Sequence, residues 1–510
     1  MTARLPKVSL PTLAAALALS GCATGHRTLV PDIDTWSATD VAAAVCARQV
    51  SAESVVQAYL SRARSRPELN AFVTLDAKGA LQAAREADAR LARGEPCRPL
   101  QGAPLAIKHT IQAAGLRATA GTPALRDFVP LADAPVVKVL RDAGAIVLGK
   151  TNMHELAFGI SGYNTSFNTG PRPGVRNAYD VSRAAGGSSS GSGAALGARM
   201  APIALGTDTG GSLRIPCAFN GCASLRPSVG RYSQEGIAPI SHTRDTAGPM
   251  AISAADVELL DRLVTGAPRA SAADLRSVRL GLVPDFLANL DADTRAAFDA
   301  AIGKLRSAGA TVIEVQMPGL GTLNAAIGFP LALYEAHDDM VAYLARYRPE
   351  LDIRQLASEI ASPDVKGTFD ALVLPRQLPA PGGTVPARPV YEAAMATHRP
   401  ALQRLYATTF TQHRLDALVF PTTPKVAMAA TPDASSVENF VLYIQNTDPG
   451  SNAGIPGLQL PMGMGTQVKV PIGLELDGPA GSDRRLVAIG MAVEAVLGRL
   501  PAPSPSMTAR

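Results

Sequence analysis

Two serines and one lysine stand in segments suited to acyl transfer. Ser188 lies in Gly186-Gly187-Ser188-Ser189-Ser190-Gly191-Ser192-Gly193, Ser212 lies in Gly206-Thr207-Asp208-Thr209-Gly210-Gly211-Ser212-Leu213-Arg214, and Lys108 closes Gly102-Ala103-Pro104-Leu105-Ala106-Ile107-Lys108. A serine hydroxyl is a poor nucleophile at its ordinary pKa and needs a base beside it. A lysine titrating near 10 is no base at neutral pH until burial disfavours its charge, and the apolar run Pro104–Ile107 ahead of Lys108 meets that condition. The glycine-rich turn before Ser212 lines up backbone N–H groups on Thr209, Gly210, Gly211 and Ser212 where an oxyanion would form; one such donor is typically worth roughly 3 to 4 kcal/mol. Asp208 and Arg214 flank this turn, and we expect them to pair and hold its shape.

Other chemistries fit the same residues less well. Gly187-Ser188-Ser189-Ser190-Gly191 also matches a G-x-S-x-G elbow, which would make Ser189 the nucleophile, with His398 or His413 as its partner. That reading leaves Lys108 and the second glycine turn without a role. No Gly-Lys-Ser/Thr follows the glycine run, and its spacing misses the dinucleotide fingerprint, so nucleotide binding is not expected. The seven histidines are scattered; His109 and His154 read as structural polar groups, and we expect no metal and no cofactor. A net charge of +5 over 510 residues, without a Lys/Arg run, points away from nucleic acid.

The stretch from Arg176 to Gly230, reading RNAYDVSRAAGGSSSGSG, then GTDTGGSLRIP, then SLRPSVG, resembles the amidase signature family, and the resemblance runs from about Ser37 to Gly498. It implies three roles: Lys108 as base, Ser188 as bridging serine and Ser212 as nucleophile. A hydroxyl donates and accepts at once, so Ser188 would relay the proton of Ser212 to a neutral Lys108. It also implies a cis peptide from Gly187 to Ser188. The reaction implied is cleavage of a carboxamide C–N bond through a Ser212 acyl-enzyme, on a small-molecule amide. Pro239–Met250, Tyr334-Glu335-Ala336-His337 and Asn446–Gly457 resemble the indoleacetamide and mandelamide hydrolase branch, which implies aryl-substituted primary amides. Peptide amidase and acylamide hydrolase are the alternatives within the family, and a catalytically inactive, lipid-anchored binding protein is the alternative outside it. The glutamine-hydrolysing subunit of tRNA amidotransferases is cytoplasmic, at odds with the leader described below. Three positions depart from the family pattern: His109 after the lysine, Ala178 where proline is usual, and Arg226 where lysine is usual. The last two read as scaffold changes.

The elements that must position these residues alternate between helix and strand. Ser37 and Ser51 read as N-caps of helices over 38–47 and 52–64, followed by a strand over 70–75, a helix over 77–93 and a buried strand ending at Lys108. A helix over 136–143, a strand over 145–148 and a helix over 194–199 continue the pattern. The expected fold is α/β, a large mixed β-sheet flanked by helices on both faces, which is also what the resemblance implies. We expect a single domain over 34–500, a helical substrate-side insertion around 318–415 with a loop at Pro379-Ala380-Pro381-Gly382-Gly383, and a flexible tail over 501–510. Apolar residues within Phe329–Tyr343 and Phe440–Ile444 are candidates for acyl contact, equally explained as core.

The chain opens with Arg4 and Lys7, an apolar run from Leu10 to Leu19, and Leu19-Ser20-Gly21-Cys22, which resembles a bacterial lipobox. The expectation is a signal peptide over 1–21, lipidation at Cys22 and a tether over 22–33. Ala23 after the cysteine implies an outer-membrane anchor facing the periplasm; a soluble periplasmic or secreted protein is the alternative. Of the remaining cysteines, Cys46 and Cys97 are candidates to pair, whereas Cys217 and Cys222 read as buried small apolar residues. The oligomeric state is not legible in the sequence.

Overall fold

The computed structural model describes residue 2 and residues 32–503. The expected signal peptide over 1–21 apart from residue 2, the expected lipidation at Cys22, and most of the expected tether over 22–33 and tail over 501–510 lie outside the described residues. The strands are β1 (Phe72–Leu75), β2 (Pro104–Lys108), β3 (Ile146–Thr151), β4 (Ile203–Asp208), β5 (Ala223–Arg226), β6 (Thr246–Ala251), β7 (Arg279–Leu282), β8 (Thr311–Glu314), β9 (Gln377–Ala380), β10 (Gly383–Pro386), β11 (Ala417–Pro421), β12 (Gly457–Met464) and β13 (Pro471–Asp477). Eleven of them form one sheet in the order β1-β3-β2-β4-β6-β5-β12-β13-β11-β7-β8. It is mixed: β2 runs parallel to β3 and β4, and β7 runs parallel to β8 and β11, with antiparallel pairs between these groups. Every residue of β2, β3, β6, β11 and β13 is buried. Burial on alternate sides of a strand requires cover on both faces, which is why β2 and β11 read as largely apolar runs, whereas β3 and β13 also bury charged side chains.

Local chemistry explains most element ends. Ser37 accepts from Asp40 N–H while Asp40 returns a bond to Ser37 N–H, a capping box that starts the helix Ala38–Cys46. Ser51 caps Ala52–Arg64 by accepting from Ser54 N–H. The helix expected over 194–199 instead spans Ser190–Gly197. The helix is wholly buried and its small residues allow close approach: a Cβ on Gly191 would lie 2.2 Å from the Ala71 carbonyl oxygen. Ser192 satisfies its hydroxyl on the Leu205 carbonyl, 3.1 Å away.

Residues 318–415 contain helices Leu320–Ala325, Gly328–Tyr347, Ile353–Ser358, Pro363–Thr368, Ala387–Ala393 and Arg399–His413. The segment expected as a loop at 379–383 is largely a hairpin, with β9 and β10 pairing Ala380 with Gly383 around Pro381-Gly382. Gly382 sits at φ +81°, a conformation open to glycine at no steric cost, and so permits the tight turn.

The cysteine reading needs one correction. Cys46 and Cys97 are disulfide-bonded, and so are Cys217 and Cys222, with Cα atoms 4.6 Å apart. Gly221, at φ +70°, ends the helix Arg214–Asn220 with a left-handed residue and folds the chain back, which brings Cys222 to Cys217. That return is invisible in a list of apolar residues.

Candidate active site

β2 and β4 are neighbours, and at their C-terminal ends stand Lys108 and the turn that leads to Ser212. Lys108 closes β2 with no solvent exposure, and its Nζ lies 2.7 Å from both Ser188 Oγ and Thr207 Oγ1. Burial pushes its pKa down to about 7, the Asp208 and Asp245 carboxylates opposing the shift. The peptide between Gly187 and Ser188 is cis. Ser189 N–H donates to the Ser212 carbonyl at 3.2 Å, which sets the two serine loops side by side. A hydrogen bond between the Ser188 and Ser212 hydroxyls is not among those of the described residues.

Ser189, the alternative nucleophile, is fully buried and its hydroxyl is engaged with the Thr207 backbone, donating to the carbonyl at 3.1 Å and accepting from the N–H at 3.2 Å. His398 and His413 lie in the helical stretch that ends at His413, and neither hydrogen-bonds Ser189 among the described residues.

The turn bearing Ser212 is held from every side. Asp208 accepts from Gly211 N–H at 2.8 Å and from Leu213 N–H at 3.1 Å. Gly211 N–H is therefore committed to Asp208 and unavailable to an oxyanion, a correction to the four-donor expectation. The N–H groups of Thr209, Gly210 and Ser212 have no partner among the turn and loop bonds of the described residues. Thr447 donates its hydroxyl to the Gly210 carbonyl, and Thr209 donates its hydroxyl to Asp245, both at 2.6 Å.

Arg214 brackets Asp208 through Nε at 3.0 Å and Nη2 at 3.1 Å. Arg226 is no passive scaffold change: its Nη1 donates to the Asp208 carbonyl at 2.7 Å and to Oδ1 at 2.9 Å. Two guanidiniums hold the Asp208 carboxyl well below its usual range despite burial. Ala178, by contrast, has a local reason. Its N–H donates to Asn220 Oδ1 at 2.9 Å, a bond that a proline there would lack.

His109 accepts from Thr119 N–H at Nδ1, 3.0 Å away, and burial keeps its imidazole neutral. His154 pairs with Asp364 at 2.9 Å, and its backbone N–H donates to the Ser188 carbonyl at 3.3 Å, tying the insertion to the serine loop.

Ser212, Thr209 and Gly210 line a cavity of about 1180 Å³ whose walls are mostly apolar. Its rim carries the exposed side chains Phe329, Val385, Val390, Val437 and Val441. Of the two segments named for acyl contact, Phe329 and Phe440 face the cavity with ring centroids 5.8 Å apart, whereas Tyr343 accepts from Gln112 in the core. Arg244 and Asp448 form a nearly buried ion pair on the cavity wall next to Gly210. Thr207, Arg244, Asp245, Thr447 and Asp448 lie in segments singled out in the sequence but carry no role there, because their roles follow from segments far apart in the chain meeting at one turn. The Glu475-Leu476-Asp477 alternation, two carboxylates on one face of an apolar strand, was a signal available there.

Residues 54–487 match the family model described as Amidase. The chain belongs to the amidase family. This amidase is 45% identical over 469 residues to the mandelamide hydrolase of Pseudomonas putida, with 92% of each chain covered. It is 38% identical to the indoleacetamide hydrolase of Agrobacterium vitis, covering 88% of this chain and 94% of that one. The native peptide amidase of Stenotrophomonas maltophilia superposes with a TM-score of 0.74 at 30% identity, covering 92% of this chain and 99% of that one. The amidase is accordingly a hydrolase of carboxamide C–N bonds with the Ser-Ser-Lys set characteristic of its family.

Proposed function

We propose that the protein hydrolyses primary amides bearing aryl or similarly apolar acyl groups, with Ser212 as nucleophile, Ser188 as bridge and Lys108 as base. The observation that carries this reading is the fully buried Lys108 amine, 2.7 Å from Ser188 Oγ, beside a serine that faces an apolar cavity. With its pKa near 7, much of the Lys108 amine is neutral at physiological pH and accepts the Ser188 proton as Ser188 accepts that of Ser212. The Ser212 oxygen bonds the amide carbon. The resulting oxyanion takes hydrogen bonds from the free N–H groups of Thr209, Gly210 and Ser212. The proton returns through Ser188 to the leaving nitrogen, the C–N bond breaks, and ammonia departs. Water then enters, gives up its proton along the same relay and releases the carboxylate.

The similarity to mandelamide and indoleacetamide hydrolases supports an aryl acyl group. A second reading, hydrolysis of peptide amides, is favoured by the cavity: pockets for drug-sized ligands run to about 300–1000 Å³, and this one is larger. Ammonia release from mandelamide, indole-3-acetamide, benzamide and a peptide amide, compared with a Ser212→Ala variant, decides between them. Equal activity in that variant would refute the assignment of Ser212.

We further propose that residues 1–21 direct export and that Cys22 carries lipid, placing residues 34–500 as one domain on the periplasmic side of an outer membrane. The supporting observation is the Leu19-Ser20-Gly21-Cys22 run. Metabolic labelling with a radiolabelled fatty acid should mark the wild type and not Cys22→Ser.

A further inference from the structure

Five ionisable side chains lie buried together behind the Ser212 turn: Asp208, Arg214, Arg226, Glu475 and Asp477. Arg214 spans the group, donating to Asp208 on one side and to Glu475 Oε1 on the other, 3.0 Å away. Glu475 and Asp477 alternate along β13 and so point to the same face of the sheet. Their convergence is marked by Gly457: a Cβ there would lie 2.6 Å from Glu475 Oε1, 2.8 Å from Asp477 Oδ1 and 3.2 Å from Arg214 Nη1. Glu475 Oε2 and both Asp477 oxygens have no hydrogen-bond partner among the described residues.

Three carboxylates face two guanidiniums. If all five were charged, one negative charge would be unmatched in a site without solvent, a costly arrangement. The surroundings supply no compensation. Arg244 is already paired with Asp448, and the buried Tyr406 hydroxyl is held neutral by burial. Two carboxyl groups crowded together resolve such an imbalance by keeping one proton between them.

We propose that Glu475 and Asp477 share a single proton, and that this proton makes them positioning residues for the Ser212 turn. Resting on the reading of Ser212 as nucleophile, the inference reaches the turn through Arg214. With one proton present, the pair offers Arg214 a single negative charge, and the guanidinium keeps its grip on Asp208, which holds the Gly211 and Leu213 N–H groups either side of Ser212. Burial pushes the affinity of both groups for the proton upward, with repulsion from Asp208 adding to it at Glu475 and repulsion from Glu475 adding to it at Asp477, while Arg214 opposes the rise at both. The proton is therefore present at low pH and leaves as pH rises. Its loss adds a second negative charge beside Arg214 and draws the guanidinium away from Asp208.

The test is the pH profile of kcat/KM on the amide hydrolysed fastest, for the wild type, Glu475→Gln, Asp477→Asn and the double variant, with folding of each checked by circular dichroism. Either single variant replaces the shared proton with a permanent amide donor. The alkaline limb seen in the wild type should move up by about one pH unit or more in both. The double variant sets two guanidiniums against Asp208 alone, and its kcat should fall more than about tenfold while KM changes little. Alkaline limbs that coincide in wild type and single variants would overturn the proposal, even if the double variant fails to fold. Fluorophosphonate labelling of the wild type, lost in Ser212→Ala, separates this failure from a failure of the nucleophile assignment.

Discussion

A buried lysine, hydrogen-bonded to two hydroxyls and to no carboxylate among the described residues, is the residue on which the proposed chemistry turns. Lys108 titrates near 7 because burial disfavours its charge, so its neutral fraction grows through the physiological range. kcat/KM should therefore fall by about tenfold per pH unit below roughly pH 7, as the base becomes protonated. A profile flat to pH 5 would exclude Lys108 as the base. Lys108→Ala should lower kcat by about 10²- to 10⁴-fold. Asp208 works differently, as the one carboxylate shared by Arg214 and Arg226. Asp208→Asn leaves both guanidiniums buried without that charge and should destabilise the fold by about 3–5 kcal/mol, read from urea denaturation. A loss under 1 kcal/mol would mean that the guanidiniums find other partners.

At the scale of elements, the Ser212 turn is a short connection between β4 and the helix Arg214–Asn220, and its shape depends on one backbone position. Gly211 has φ +139°, and a Cβ there would lie 2.4 Å from Thr447 Oγ1. Gly211→Ala should cost about 1–3 kcal/mol of strain, paid by displacing the turn. We expect a kcat loss of about tenfold or more together with a lower melting temperature; an unaltered kcat would show that the turn adapts. The same helix ends in the return that joins Cys217 to Cys222, and Cys46, at the end of the helix Ala38–Cys46, joins Cys97 in the loop before β2. Protein lacking residues 1–22 should accordingly show no free thiols when denatured without reductant and four after reduction. Two thiols before reduction would mean that one bridge does not form. Caps and apolar strands were legible here because they obey local rules: Ser37 with Asp40, or the run into Lys108. The helix Ser190–Gly197 was read too short because its glycines and serines are favourable only against the particular surfaces they touch.

Across the whole molecule, the sheet carries the site: β2 delivers Lys108, β4 leads into the Ser212 turn, and β13 brings up the carboxylates behind it. Leu205 on β4 is fully buried in the core that spans the sheet. Leu205→Ala should destabilise the protein by about 2–5 kcal/mol, measurable as a lower denaturation midpoint, whereas an unchanged midpoint would mean that β4 is not part of the cooperative core. Residues of the helix Gly328–Tyr347 and the segment around Phe440 line the cavity together, so substrate range belongs to this scale too, since residues more than a hundred positions apart form its lining.

The contiguous glycine-serine segments, with the run into Lys108 and the alternation of helix and strand, determined from the sequence alone the family, the mixed α/β fold and the three residues proposed to react, because their chemistry demands particular residue types. Tertiary structure alone decided which turn N–H groups remain free, that Cys217 bonds Cys222, that Arg226 shares Asp208 with Arg214, and that Glu475 and Asp477 converge behind them. Each of these depends on where the chain returns: Asp208 and Glu475 meet only because β4 and β13 belong to one sheet. Charge balance in a buried site is a property of the neighbours assembled there, and a linear sequence does not list neighbours.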